Sequence, residues 1–243
     1  MKGKSKLFRK ILLLSISFIS LSLTAQPRMP VVLSCGSMRE TMWENKLGPA
    51  ILMDTLSDRK HLYGLGPLAY LKGEWMVYGG QAWYSRVRND TSIAMSQGFS
   101  GGAPFFVYAR VGEWKRTSLP DSVSDIKKLE AFLDDFYRDR DQPFPFRLEG
   151  RVSHAQFHVL NLPDGAPVQS PEDAHRSKVH FVLDQQECLM LGFFSRKHQG
   201  IFTHHDSFIH AHLMTTDGLK MGHLEEAEWD PRSLTLFLPA SML

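Results

Sequence analysis

Cysteine is nearly missing from this chain. Two, Cys35 and Cys188, occur in 243 residues. That scarcity excludes a disulfide-dense scaffold and any cysteine-only zinc or iron–sulfur site. A surplus of one charge is missing too. The formal net charge is +2, but Lys2, Lys4, Lys6, Arg9 and Lys10 crowd the first 25 residues, which hold no acid. Without those five positives the remainder stands at about −3. A mildly acidic body has no electrostatic footprint for nucleic acid, so no nucleic-acid partner is expected. No apolar run reaches the ~20 residues of a comfortable membrane span. Internal repeats, low-complexity tracts and a repeating strand–helix alternation are all absent. What is present is enough apolar sequence, 43% against 22% charged, for a packed core.

The longest apolar run, Ile11 to Leu23, follows the basic cluster and ends before a small residue, Ala25. This is the pattern of a secretory signal over residues 1–25, leaving no stable span after cleavage and an exported protein, periplasmic or secreted. Leu23 is not the small residue preferred near a cleavage site, so an uncleaved anchor is the alternative. Export would place Cys35 and Cys188 where they can pair, although the sequence does not put them within bonding distance.

Beyond the signal, two halves are expected. Residues 26–145 read as an N-terminal α/β half, and residues 146–243 as a β-rich half. Ser37–Leu47 and Ser124–Arg138 read as helices, the second from Ile126, Leu129, Phe132, Leu133 and Phe136 at helical spacing. Glu74–Tyr78, Gly79-Gly80 and Gln81–Arg86 read as strand, tight turn, strand. Further strands are expected at Phe105–Arg110, Phe146–Leu160 (one strand or a hairpin), Cys188–Ser195, Phe202–Thr215, Leu219–Glu225 and Ser233–Leu238. Many strands with few helices make an α+β protein. The five tryptophans read as core or domain-contact residues.

Histidine is the outlying residue. Five of eleven fall in a 20-residue window: His204, His205, His210, His212 and His223. On a strand, His210 and His212 point to one face. His223 follows a plausible turn at Thr215–Gly218, so a neighbouring strand would carry it back across from the pair. Three imidazoles with open positions are the donor set of a catalytic zinc site, and other divalent metals suit the same donors. His204, His205 and Asp206 form an alternative set, ranked lower because adjacent strand residues face opposite ways.

Four stretches, in order, resemble the α-acetolactate decarboxylase family. They are Tyr63–Gly80 with its Gly-x-Gly and Gly-Glu segments, Phe146–Gly150, Leu191–Phe193, and Ile209-His-Ala-His-Leu213 followed by Gly222-His-Leu224. The likeness spans roughly residues 34–239. It implies two packed mixed or antiparallel sheets with a few helices, and zinc held by His210, His212 and His223. The implied substrate is a small keto-hydroxy acid, 2-acetolactate, converted to acetoin and carbon dioxide. It also implies a catalytic role for Glu74, matching the family's Gly-Glu glutamate, in proton handling. A homodimer stays open.

Two departures stand out. His158 occupies the place of the family's active-site arginine, making it the second catalytic candidate, with Arg147 and Arg151 nearby on a strand. The family's C-terminal metal-binding glutamate has no counterpart through Leu243, and Glu225, Glu226 or Glu228 are the acids available to replace it. Three other readings remain: a metal-dependent lyase or isomerase on another keto acid, a catalytically decayed zinc-dependent binding module, and an exported structural protein.

Overall fold

The computed structural model describes residues 29–89, 91–138 and 141–243. The expected signal segment lies outside these residues. In chain order the elements are β1 (Val32–Cys35), α1 (Met38–Trp43), β2 (Ile51–Leu52), β3 (Leu62–Pro67), β4 (Glu74–Tyr78), β5 (Gln81–Asn89), β6 (Ser92–Gln97), β7 (Gly102–Ala103), β8 (Phe106–Arg110) and β9 (Trp114–Thr117). They continue with α2 (Ile126–Phe136), β10 (Phe144–Leu160), α3 (Pro171–His175), β11 (Lys178–Phe194), β12 (Ile209–Thr215), β13 (Met221–Glu228) and β14 (Leu234–Pro239).

Two six-stranded antiparallel sheets dominate, with a small third sheet of β2 and β7. The first sheet runs β1-β8-β3-β4-β5-β6 and the second β11-β12-β13-β10-β14-β9. The second closes on itself, because β10 also pairs with β11 along almost its whole length. This α+β architecture of packed antiparallel sheets with a few helices agrees with the sequence reading.

Phe144 to Leu160 forms one strand rather than a hairpin. It changes neighbour midway, pairing with β14 through Arg147–Gly150 and with β13 through His154–His158. Gly150 marks the change: its φ is +138°, and a Cβ there would stand 2.0 Å from the Ser233 carbonyl oxygen. Only glycine takes that backbone at that contact. Residue 145 thus lies inside β10, and the segment before it supplies β9 as an edge strand of the second sheet and α2 against that sheet's core.

Alternation along the strands sorts the core. Ala211, Leu213, Met190, Phe157 and Leu224 pack with Leu129 and Leu133 of α2. On the opposite face, Leu191, Phe193, Met214 and Met221 meet Leu65, Met76, Val107 and Ala109 of the first sheet. Trp75 and Trp229 are buried, but Trp43 is exposed. Cys35 and Cys188 are free thiols.

Three local expectations are corrected. The first helix stops at Trp43, not Leu47, because Asn45 turns left-handed (φ 52°) and accepts the Val168 N–H at 2.8 Å. The strand ending near Ser195 begins ten residues early, at Lys178 rather than Cys188. Phe202–Phe208 is a loop, not strand, and its end is tied to α2. There Glu130 accepts Ser207 Oγ at 2.6 Å and the Phe208 N–H at 3.2 Å.

Candidate metal centre

Strand register assembles the site. His180, His158, His223 and His212 stand directly opposite one another across β11, β10, β13 and β12. His210 lies two residues from His212 on the same face of β12, as the His-x-His spacing requires. Gly222 lets β13 close on β10, since a Cβ there would meet the His158 carbonyl oxygen at 2.4 Å. The outcome is a ring cluster: centroids lie 5.1 Å apart for His210–His212, 4.8 Å for His210–His223 and 5.4 Å for His212–His223.

All three imidazoles are buried. One ligand nitrogen from each lies within 4.8 Å of the other two. Burial holds each well below the ordinary histidine range, and His212 reaches about 3. Neighbouring histidines push the same way, while the backbone of Phe202 and of Trp75 opposes it at His210 and His212 respectively. The rings are therefore neutral, the form that donates a lone pair to a metal. His210 Nδ1 and both nitrogens of His212 make no well-formed hydrogen bond. Buried ring nitrogens without partners, on residues whose ligand atoms converge, call for a ligand. Three neutral imidazole nitrogens suit a borderline divalent cation such as zinc.

Glu74 enters from the first sheet, at the start of β4. It is 2% exposed, and Oε1 accepts the Leu160 N–H at 3.3 Å. Its Oε2 lies 3.7 Å from His212 Nε2. Burial raises its pKa well above the usual carboxylate value, against the Leu160 bond and the Lys178 charge. Burial thus favours the protonated, neutral form of Glu74 beside the triad.

The sequence matches the family profile "Alpha-acetolactate decarboxylase" over residues 53–237, about three quarters of the chain. The chain belongs to the α-acetolactate decarboxylase family. No curated protein sequence matches it significantly. Solved structures show the same fold at low identity. Alpha-acetolactate decarboxylase from Bacillus subtilis strain 168 superposes with a TM-score of 0.68 at 15% identity, over 85% of this chain and 83% of that one. Acetolactate decarboxylase from Bacillus subtilis subspecies spizizenii gives 0.68 at 14% identity, over 86% and 85%. A Staphylococcus aureus protein of unknown function, similar to the same enzyme, gives 0.65 at 15%, over 86% and 84%. Membership in this family points to carboxy-lyase chemistry on a small molecule and to a metal cofactor. Among the described residues no helix is long and apolar enough to cross a membrane.

Within the family frame, His158 is placed beside the triad, its ring 4.7 Å from that of His223. Its Nδ1 lies 3.0 Å from Glu225 Oε1. Glu225 is held below the usual carboxylate range: burial would raise it, but hydrogen bonds from His158 and Lys178 prevail. An ionised carboxylate only accepts, so His158 donates from Nδ1. Burial keeps the ring neutral despite that bond. A neutral imidazole cannot replace an arginine's charge.

The other arginines do not fill the gap. Arg147 lies on β10 eleven residues before His158, about 36 Å along an extended strand. It hydrogen-bonds Tyr78 Oη at 3.1 Å and stacks over Phe237. Arg151 pairs with Glu187 at the surface. Of the candidate substitute acids, Glu225 turns to His158, Lys178 and His180, while Glu226 and Glu228 are exposed. His204 comes from the alternative ligand set, and its Nε2 lies 3.3 Å from His223 Nε2. His205 and Asp206 are exposed.

Sequence reasoning missed Lys178 and His175, which also line the pocket over the triad. A signal for His175 was present: Ser170-Pro171-Glu172-Asp173 carries an N-cap serine, proline at the first helical position and first-turn acids, and it opens α3.

Proposed function

We propose that this protein is a zinc-dependent decarboxylase of 2-acetolactate, releasing acetoin and carbon dioxide. The observation that carries the reading is a buried Glu74 beside three buried, converging imidazoles in a family of decarboxylases. His210, His212 and His223 would hold the ion. A bound divalent cation supplies Lewis acidity for the hydroxyl and keto oxygens of the substrate, stabilising negative charge as carbon dioxide departs.

The residues of the chain do the rest. When the carboxylate leaves, its bonding electron pair stays on the carbon it vacated. Glu74, protonated before turnover, delivers a proton to that carbon and recovers one from solvent. The Leu160 N–H fixes one carboxyl oxygen, so the acid presents itself from one side. Apolar walls from Leu71, Phe105 and Leu160 keep the proton-donating form favoured. The basic and apolar first 25 residues support export of the enzyme.

A solvent-isotope experiment tests the proton step. Turnover in D2O is expected to give acetoin with one deuterium on the carbinol carbon and a single hand. Racemic product formed on the enzyme would contradict delivery by one fixed acid.

A further inference from the structure

The pocket over the triad has mostly apolar walls, and Lys178 is the one lysine or arginine among the described residues lining it. Register places it on β11 opposite Leu160, at the end of β10 where the pocket begins. Its side chain is 16% exposed, and Nζ lies 2.7 Å from Glu225 Oε1. An ammonium has three N–H donors, and one goes to Glu225. The Glu225 carboxylate is shared, with Oε1 also meeting His158 Nδ1 at 3.0 Å and Oε2 meeting His180 Nε2 at 3.0 Å. Lys178 therefore keeps donors and charge facing a poorly solvated space. Even paired with Glu225, the one ammonium lining this pocket makes it more favourable for an anionic ligand than for a neutral one, and its two remaining N–H donors can bond a carboxylate.

We propose that Lys178 binds the carboxylate of the substrate and restricts the site to small 2-hydroxy carboxylic acids. The proposal rests on the decarboxylase reading for its choice of substrate class. It also fixes which kinetic constant responds. Carbon dioxide leaves as a neutral molecule, so charge drains from the carboxylate in the transition state. An ammonium bound to that carboxylate thus stabilises the ground state at least as much as the transition state. Lys178 acts in capture and orientation and is felt in KM, not kcat.

The test uses equilibrium binding of two non-reacting probes to the zinc-loaded full chain by calorimetry. The probes are 2-hydroxyisobutyrate and its neutral amide, 2-hydroxyisobutyramide. Lys178→Met is expected to weaken the carboxylate roughly 10- to 100-fold, the range for a hydrogen bond to a charged group, and to leave the amide unchanged. Lys178→Gln, which can still bond Glu225, should behave like Lys178→Met. Lys178→Arg should restore most of the preference. Unchanged zinc stoichiometry and melting temperature identify the folded variants. With 2-acetolactate, the same loss should fall on KM. An unaltered carboxylate preference in folded Lys178→Gln would overturn the proposal, as would a wild-type chain with no preference. Loss of the preference in a protein that never makes acetoin would keep Lys178 as the anion contact and reject the decarboxylase reading.

Discussion

Without metal, His212→Leu is expected to melt several degrees above the native chain, and with zinc several degrees below it. The crossing follows from the site's unpaired nitrogens. Both ring nitrogens of His212 are buried without a well-formed hydrogen bond. Leaving a buried polar group unsatisfied costs about 1–3 kcal/mol. Leucine has similar bulk and no polar atom, so it removes that penalty in the metal-free protein. For a chain of this size 1 kcal/mol moves Tm by roughly 2–4 °C. Zinc reverses the order, because an ion bound only by the folded state at 100-fold above its Kd adds about 2.7 kcal/mol. Thermal melts of both proteins with EDTA and with zinc give the four values needed. A core histidine without a metal role would give no zinc response and a plainly destabilised leucine variant.

Glu74→Gln is expected to lower kcat by a factor of about 10²–10⁴, the usual worth of a positioned proton donor. KM and zinc content should scarcely move, and Tm of the metal-free chain should rise rather than fall, because at neutral pH the unfolded glutamate is ionised whereas burial favours its protonated form in the fold. The glutamine amide still accepts the Leu160 N–H. It is also neutral, as the buried glutamic acid already is, so no charge is removed from the folded protein. An undiminished kcat would show that the proton comes from another group.

The parts of this account differ in how far the sequence disclosed them. His210 and His212 were legible because a strand repeats every two residues, and His223 because a short turn returns β13 to β12. Local periodicity sufficed for each. Lys178 and His158 meet because β10 and β11 pair across sixteen registered positions, and Glu225 joins them because β13 pairs with the other edge of β10, long-range matches no local pattern states. Phe202–Phe208 misled for the opposite reason. Its apolar residues resemble a strand, but Phe202 is buried from an irregular loop, and Glu130 on α2 secures the far end. Glu74 was visible only through the family resemblance. What makes it an acid is burial between two sheets, a property of the packed fold.

The most direct test is acetoin production. The zinc-loaded chain is mixed with racemic 2-acetolactate, with the His210→Ala/His212→Ala double variant alongside. The account predicts turnover that consumes one enantiomer first, needs about one zinc per chain, and disappears in the double variant. Tight, stoichiometric zinc with no acetoin from any preparation would contradict it.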